Sequence, residues 1–509
     1  MPQRSGWSLF TLKNRSLVTQ SLRAQIICAL LIAFVSLGIS SCHSASYYYY
    51  KFPQYTFANR PIPPSLLANR VMVSITANGS QGGLQMLDSL RDIRGNVENT
   101  VRMFPISGYS SGYPNLIFNF PEQIRGYVYS NSDGSLNVVD YGKETSSSSG
   151  GGVFGPNASV AIPSLFTRLY GAQEATGQLI VNDALTGRNF ALNLPNVYKV
   201  FVNQGDTIAL AMVRNSNTLY RVLKLNANQF PTTLQAMQTI GAVDCQPFNI
   251  PVYCVVPVAS PQDPPNLYDR PIAAYFSLDG NSVYILNCGP ECGGTTASVT
   301  LLQPGALTVD SIPASPVYPS AYNAQVLVPG GVTTAVADGT NLYVAGQQLL
   351  PDGLFTGRLS TISLANNTVT GSYSISDGSH TKILFADDNT LWIGSQFCAT
   401  GERAKLGQNY NCLTRFDLGA KTAAIVPAVT PGSPTAKVPY PNTDNNLYYY
   451  GSLTGLCWVQ NLHKVYTAYG GQVHAFNTAD GSEINNFYIT VQGTALDVTY
   501  MDAITNSAN

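Results

Sequence analysis

One pattern recurs from about residue 70 to the carboxyl end of the chain. A short apolar strand ends in a tight turn, a second strand carries an aromatic residue, a loop follows, and a third strand alternates apolar with polar. It is clearest in AAYFSLDGNSVYILNCGPECGGTTASVTLL, Ala273 to Leu302. The same plan gives TTAVADGTNLYVAGQQ with GRLSTISL, KILFADDNTLWIGSQFC with NCLTRFDL, CWVQNLHKVYTAYGGQVHAFN, and IRGYVYSNSDGSLNVVD. Asp-Gly and Gly-Asn corners supply the positive φ angles that tight strand reversals demand. No helical periodicity of useful length interrupts them. A chain of this kind is all-β, and a single unit leaves two sheet edges open, so the units must stack on one another.

The third strands begin near Leu84, Leu136, Leu179, Tyr220, Val299, Leu359, Leu413 and Val473, at spacings of 41 to 79 residues. Units of three or four antiparallel strands at such spacings are propeller blades, and the count predicts eight, with seven the alternative. The widest gap holds an insertion with Cys245 and Cys254. The first unit lacks an innermost strand, whereas the chain ends in a lone strand-like GTALDVTYM. Thr494 to Met501 is therefore expected to complete the first blade and close the ring. Strand alternation predicts Leu496 and Val498 on the side opposite Asp497 and Thr499.

The segments VYILN (Val283 to Asn287), YVYSNSDGSLNVVD (Tyr127 to Asp140) and LYVAG (Leu342 to Gly346) resemble the YVTN-type repeat of bacterial secreted propellers. The likeness covers most of residues 70 to 501. It implies a propeller, usually of seven blades in that family, and says little about activity because propellers host many functions.

The amino terminus has Arg4, Lys13, Arg15 and Arg23, no acidic residue before Cys42, and an apolar run from Ile26 to Ile39. This is a secretory signal layout, with an apolar run short of the roughly 20 residues a spanning helix needs. Ile39-Ser40-Ser41-Cys42 resembles the bacterial lipobox, which implies that Cys42 is acylated on sulfur and becomes the new amino terminus. The alternative is ordinary cleavage near Ser41 with Cys42 an incidental thiol. His43 stands where that family places the aspartate tied to inner-membrane retention, so the resemblance favours an outer-membrane address. The expected division is a signal peptide over 1–41, an acylated cysteine and tether over 42–68, and one propeller over 69–509. The tether carries Tyr47 to Tyr50 and the Pro-rich PIPPS.

Losing residues 1–41 removes four of the 27 Lys and Arg, leaving 23 against 28 Asp and Glu, a net of −5. Neither this charge nor any basic patch suggests a nucleic-acid partner. Charged residues make up only 11% of the chain, as suits exported strands and turns.

In an oxidising compartment, cysteines close in sequence read as local disulfides. The pairs are Cys245 with Cys254, Cys288 with Cys292, and Cys398 with Cys412, leaving Cys457 as a buried thiol in the apolar run LCWV. A structural zinc site needs about four ligands, and the C-x3-C of Cys288 and Cys292 has no second cluster near it in sequence. No metal site is expected.

Gly108-Tyr109-Ser110-Ser111-Gly112 matches G-x-S-x-G, but the strand-like YPNLIFNF follows where a hydrolase elbow requires a helix. His380, His463 and His474 are the histidines of the expected domain, the last two on strand-like stretches. Beyond the expected signal peptide the chain has two tryptophans, Trp392 and Trp458, too few for the repeated docking motif of quinoprotein dehydrogenases, so no cofactor is expected. Asp-rich turns such as Asp387-Asp388-Asn389 and Asp133-Gly134 are explained by turn chemistry. Three functions remain: a lipid-anchored, non-catalytic binding or scaffolding module with a protein or glycan ligand at a propeller face, a lactonase-like hydrolase using the central channel, and an adhesive surface protein. The hydrolase would need acidic and histidine residues converging at one channel mouth.

Overall fold

The turn at Leu278-Asp279-Gly280 shows how the hairpins are made. Gly280 takes φ 71°. The Asp279 carboxylate accepts the Asn281 N–H at 3.1 Å, and the Ser277 N–H donates to the Ser282 carbonyl at 3.0 Å. The corner thereby joins the strands Pro271–Phe276 and Val283–Asn287 in antiparallel register, Phe276 opposite Val283. Asp133 does the same at its own corner, accepting Ser135 through both N–H and hydroxyl while Gly134 takes φ 69°.

The computed structural model describes residues 60–506 except 78, 80, 95–105, 151–152, 226–231, 247–250, 260–266, 311–321, 398–411, 427–451, 485–488 and 490. Among the described residues lie eight antiparallel sheets, seven of four strands and one of five. They are the blades of a propeller. Every third strand expected from sequence occupies the third position in its sheet, including those at Leu84 and Leu179.

The ring closes as expected. Thr494–Tyr500 pairs antiparallel with Arg70–Ala77 and becomes the innermost strand of blade 1. A bulge at Ser74/Ile75 changes the predicted alternation, because Ser74 faces Asp497 and Ile75 faces Ala495, leaving Leu496 unpaired. Consequently Ala495, rather than Leu496, joins Val498 and Tyr500 in the apolar cluster between blades 8 and 1. Each of the other seven blade junctions holds a buried cluster of its own.

Polar clamps cross several of these junctions. Lys464 and Tyr466, two apart and so on one face of their strand, both reach Asp92 of blade 1, with the Tyr466 hydroxyl at 2.6 Å. Arg168 and Tyr170 repeat the device on Asp206 of blade 4, at 2.8 and 2.9 Å. Arg70 is held by Asp502 at 2.7 Å and by Glu144 of blade 2 at 2.9 Å. Burying these ions is tolerated because each is paired and hydrogen-bonded.

Blade 4 departs from the all-strand expectation. Its insertion contains a helix, Thr233–Ile240, started by the Thr232 hydroxyl accepting the Gln235 N–H at 3.0 Å and ended by Gly241 at φ 64°. Eight residues without a long apolar period give too weak a signal to be seen in sequence. The strand Asp244–Cys245 then adds a fifth member to the sheet, bonded to Cys254 by a disulfide.

Residues 60–68, the end of the expected tether, are docked on the domain. Leu67 is buried, Ser65 N–H donates to Glu144 at 2.9 Å, and Arg60 pairs with Asp502 at 2.7 Å. The signal segment, Cys42 and Tyr47 to Tyr50 lie outside the described residues, among which no helix is long and apolar enough to cross a membrane.

Candidate functional site at the channel mouth

The innermost strands run the same way around the channel, so their first residues gather at one mouth. Between blades 4 and 7 the starts of Val197–Val202, Pro271–Phe276, Thr334–Ala337 and Ser379–Ala386 surround a cavity of about 580 Å³. The ends of the second strands contribute Leu286, Gln347 and Gln396 to its wall. Phe201, Ile272, Tyr275 and Phe355 supply apolar surface.

Lys199 enters this cavity because of a bulge. The register slips between Val197 and Lys199, taking Tyr198 out of the ladder and freeing its hydroxyl to donate to the Pro271 carbonyl at 3.1 Å. Arg214 stacks 4.6 Å from the Tyr198 ring centroid while its guanidinium is gripped by both oxygens of Glu174. Among the described residues no carboxylate pairs with the Lys199 ammonium, which lies 5.8 Å from the Tyr198 ring centroid. Burial, with the Arg214 charge added, pulls Lys199 down to about 8.

Glu291 comes from the C-x3-C segment. Gly289–Cys292 forms a 3₁₀ turn closed by the Cys288–Cys292 disulfide and capped by Gly293 at φ 76°. Asp269 anchors the following loop by accepting the N–H groups of Thr295 and Thr296, each at 2.7 Å. The stapled turn directs Glu291 onto Gln347, whose main-chain and side-chain N–H groups donate to it at 2.7 and 3.2 Å. A Cβ on Gly331 would lie 2.1 Å from the Glu291 Oε2, so only glycine leaves room for the carboxylate. Burial outweighs the Gln347 hydrogen bonds and raises Glu291 to about 7.

His380 completes the ionisable lining. Its Nε2 lies 2.9 Å from the Ser376 carbonyl, its Nδ1 is sealed from solvent without a partner, and burial lowers it to about 4. The imidazole is therefore neutral at pH 7, with Nε2 as the donor.

The opposite arc of the ring is closed by an ion pair. Asp497 accepts the Ile117 N–H at 3.0 Å and meets the Lys382 ammonium at 3.4 Å, linking blade 7 to blades 1 and 2. Gly455 of blade 8 permits this, since a Cβ there would stand 2.8 Å from the Asp497 Cα.

The residues singled out from sequence fall as follows. Cys292 lines the cavity and is bonded to Cys288, and Cys245 is bonded to Cys254. Cys412 is disulfide-bonded, Cys398 lies outside the described residues, and Cys457 is a free buried thiol that burial pushes up. Ser110 is exposed and precedes the strand Pro114–Phe120. His474 is on a strand, bonded to Glu483 at 2.6 Å, whereas His463 sits in an exposed turn beside Asp388 at 2.9 Å. A Lys-Val-Tyr strand after His463 made it look like strand from sequence, but its φ of 54° belongs to a turn. Among the described residues no three His, Cys, Asp or Glu side chains come together as a metal site.

Lys199, Gln347 and the role of Glu291 were not found from sequence. The one available signal was a lone lysine in the apolar VYKVFV of a chain with few charges.

No family model matches this chain. No curated protein matches it either. Solved structures do. Dihydro-heme d1 dehydrogenase NirN in complex with DHE is 12% identical, covering 87% of this chain and 79% of that one, with a TM-score of 0.50. Apo AztD from Citrobacter koseri is 9% identical over 85% of this chain and 98% of that one, TM-score 0.45. The β-propeller domain of Myceliophteria thermophila Cps50 (Swd1) is 11% identical over 71% and 94%, TM-score 0.40. At such identities the likeness is one of fold. The chain is an eight-bladed β-propeller.

Proposed function

We propose that this propeller is an exported, lipid-anchored binding module of the cell envelope that holds its ligand at the channel mouth between blades 4 and 7. The observation that carries the reading is the cavity of about 580 Å³ there, in the size range of small-ligand sites and lined by aromatic side chains with a few placed polar groups. The signal layout and the lipobox-like Ile39 to Cys42 support export and anchoring, and the disulfides suit an oxidising compartment. Glu291 and His380 do share this mouth, as the hydrolase reading requires. His380 is a poor acid–base candidate, however, because Nε2 is engaged by Ser376 and Nδ1 is closed to solvent.

The test is capture. The full-length chain is incubated with a small-molecule extract of the envelope, separated by gel filtration, and the retained species are weighed by mass spectrometry. An Ala335→Trp variant, which fills the cavity from the innermost strand of blade 6, should lose species that the wild type keeps. Identical retention by both would show that the cavity is not the site.

A further inference from the structure

The cavity has a cation, Lys199, that no carboxylate among the described residues pairs with. The carboxylates at or beside the cavity are already engaged: Glu174 by Arg214, and Glu291 by Gln347. Lys199 is half-buried; an ammonium partly withdrawn from water without a counter-ion is costly, and an incoming anion relieves that cost. Lysine presents three rotatable donors on a flexible stem, which suits a carboxylate or phosphate oxygen arriving from any direction. Around it the wall is apolar, with Phe201, Ile272, Tyr275 and Phe355 able to cover a hydrocarbon or ring.

We propose that the channel-mouth cavity binds a small organic anion, its carboxylate or phosphate on the Lys199 ammonium and its apolar body against Phe201, Ile272, Tyr275 and Phe355. This rests on the binding-module reading and specifies the chemistry of its ligand. The other ionisable groups around the cavity are Tyr198, Arg214 with its partner Glu174, Tyr275, Glu291 and His380. Arg214 is neutralised by Glu174 and His380 is uncharged, so the balance is set by Lys199 and Glu291. Below pH 7 Lys199 is charged and Glu291 largely protonated, giving the mouth a net positive charge. Above about pH 8 Lys199 loses its proton while Glu291 is ionised, and the sign reverses. Anion affinity should therefore fall as pH rises from 6.5 to 9.

The experiment uses matched probes on the full-length chain by isothermal titration calorimetry. The pairs are 2-naphthoate with 2-naphthamide, and phenyl phosphate with benzyl alcohol. At pH 6.5 at least one anion should bind about 10-fold or more tightly than its neutral partner, as expected for a charge-assisted hydrogen bond. Which pair shows the larger ratio distinguishes carboxylate from phosphate. Lys199→Met should abolish the ratio, and a cooperative urea transition of the variant shows that it is folded. If anion and neutral probes bind equally, or the ratio survives in Lys199→Met, the anion inference is overturned and the binding reading stands. If none of the four probes binds, both are overturned.

Discussion

Deleting residues 494–509 should abolish the cooperative fold. The removed strand carries Leu496, Val498 and Tyr500, and Met501 follows it, all four no more than 4% exposed. At about 2 to 5 kcal/mol for each large buried side chain lost, these four cost about 8 kcal/mol at the low end. The deletion also takes Asp502 and leaves Arg70 buried with Glu144 alone, and breaking such a pair adds about 3 kcal/mol. It uncovers Val71, Val73 and Ile75 of blade 1 and Tyr466 and Ala468 of blade 8. The total, about 11 kcal/mol, is comparable to the whole margin of about 5 to 15 kcal/mol that a folded chain has. Urea unfolding followed by tryptophan fluorescence reads this out. Trp458 sits on the innermost strand of blade 8 beside the deleted strand, and Trp392 is buried one blade away. The truncated chain should show no cooperative transition. A midpoint equal to that of the full-length chain would refute closure through this strand.

Cys42→Ser should abolish incorporation of a fatty-acid analogue in labelled cells, and equal incorporation would dispose of the lipobox reading. Mass spectrometry of non-reduced peptides should recover Cys245 with Cys254, Cys288 with Cys292, and Cys398 with Cys412. Cys457 should be alkylated only after unfolding, and modification of the native chain would contradict its burial. Glu291→Gln should flatten the pH dependence of stability. The native carboxyl titrates at about 7 against an ordinary 4.5, so the folded state holds its proton more tightly. That contribution is present below pH 4.5 and lost as pH rises through 7, amounting to about 3 kcal/mol. Urea midpoints at pH 5 and pH 8 compare the two chains, and the same change in both would refute the assignment.

The ring was legible because its signals are local. Corners such as Asp279-Gly280 declare their hairpins, third strands alternate, and a strand without a blade at the end of the chain matches a blade without an inner strand at the start. The bulge at Leu496 was not legible, since it depends on how Thr494–Tyr500 meets a strand more than 400 residues earlier in the chain. The site was hidden for the same reason. Glu291 was visible within its C-x3-C staple, but its bonds to Gln347 and its place in one cavity with Lys199 and His380 follow from the arrangement of four blades about one channel. Lys199 turns inward through a register slip at Val197, and single-sequence periodicity carries no trace of a slip that the partner strand imposes.

The most direct test of the binding account is a crystal structure of the full-length chain with a molecule retained from the envelope extract. The account predicts its density in the channel mouth, between the innermost strands of blades 4 to 7, with an anionic group on Lys199. Density confined to the opposite face or to the outer blade edges, with Lys199 still uncompensated, would contradict it.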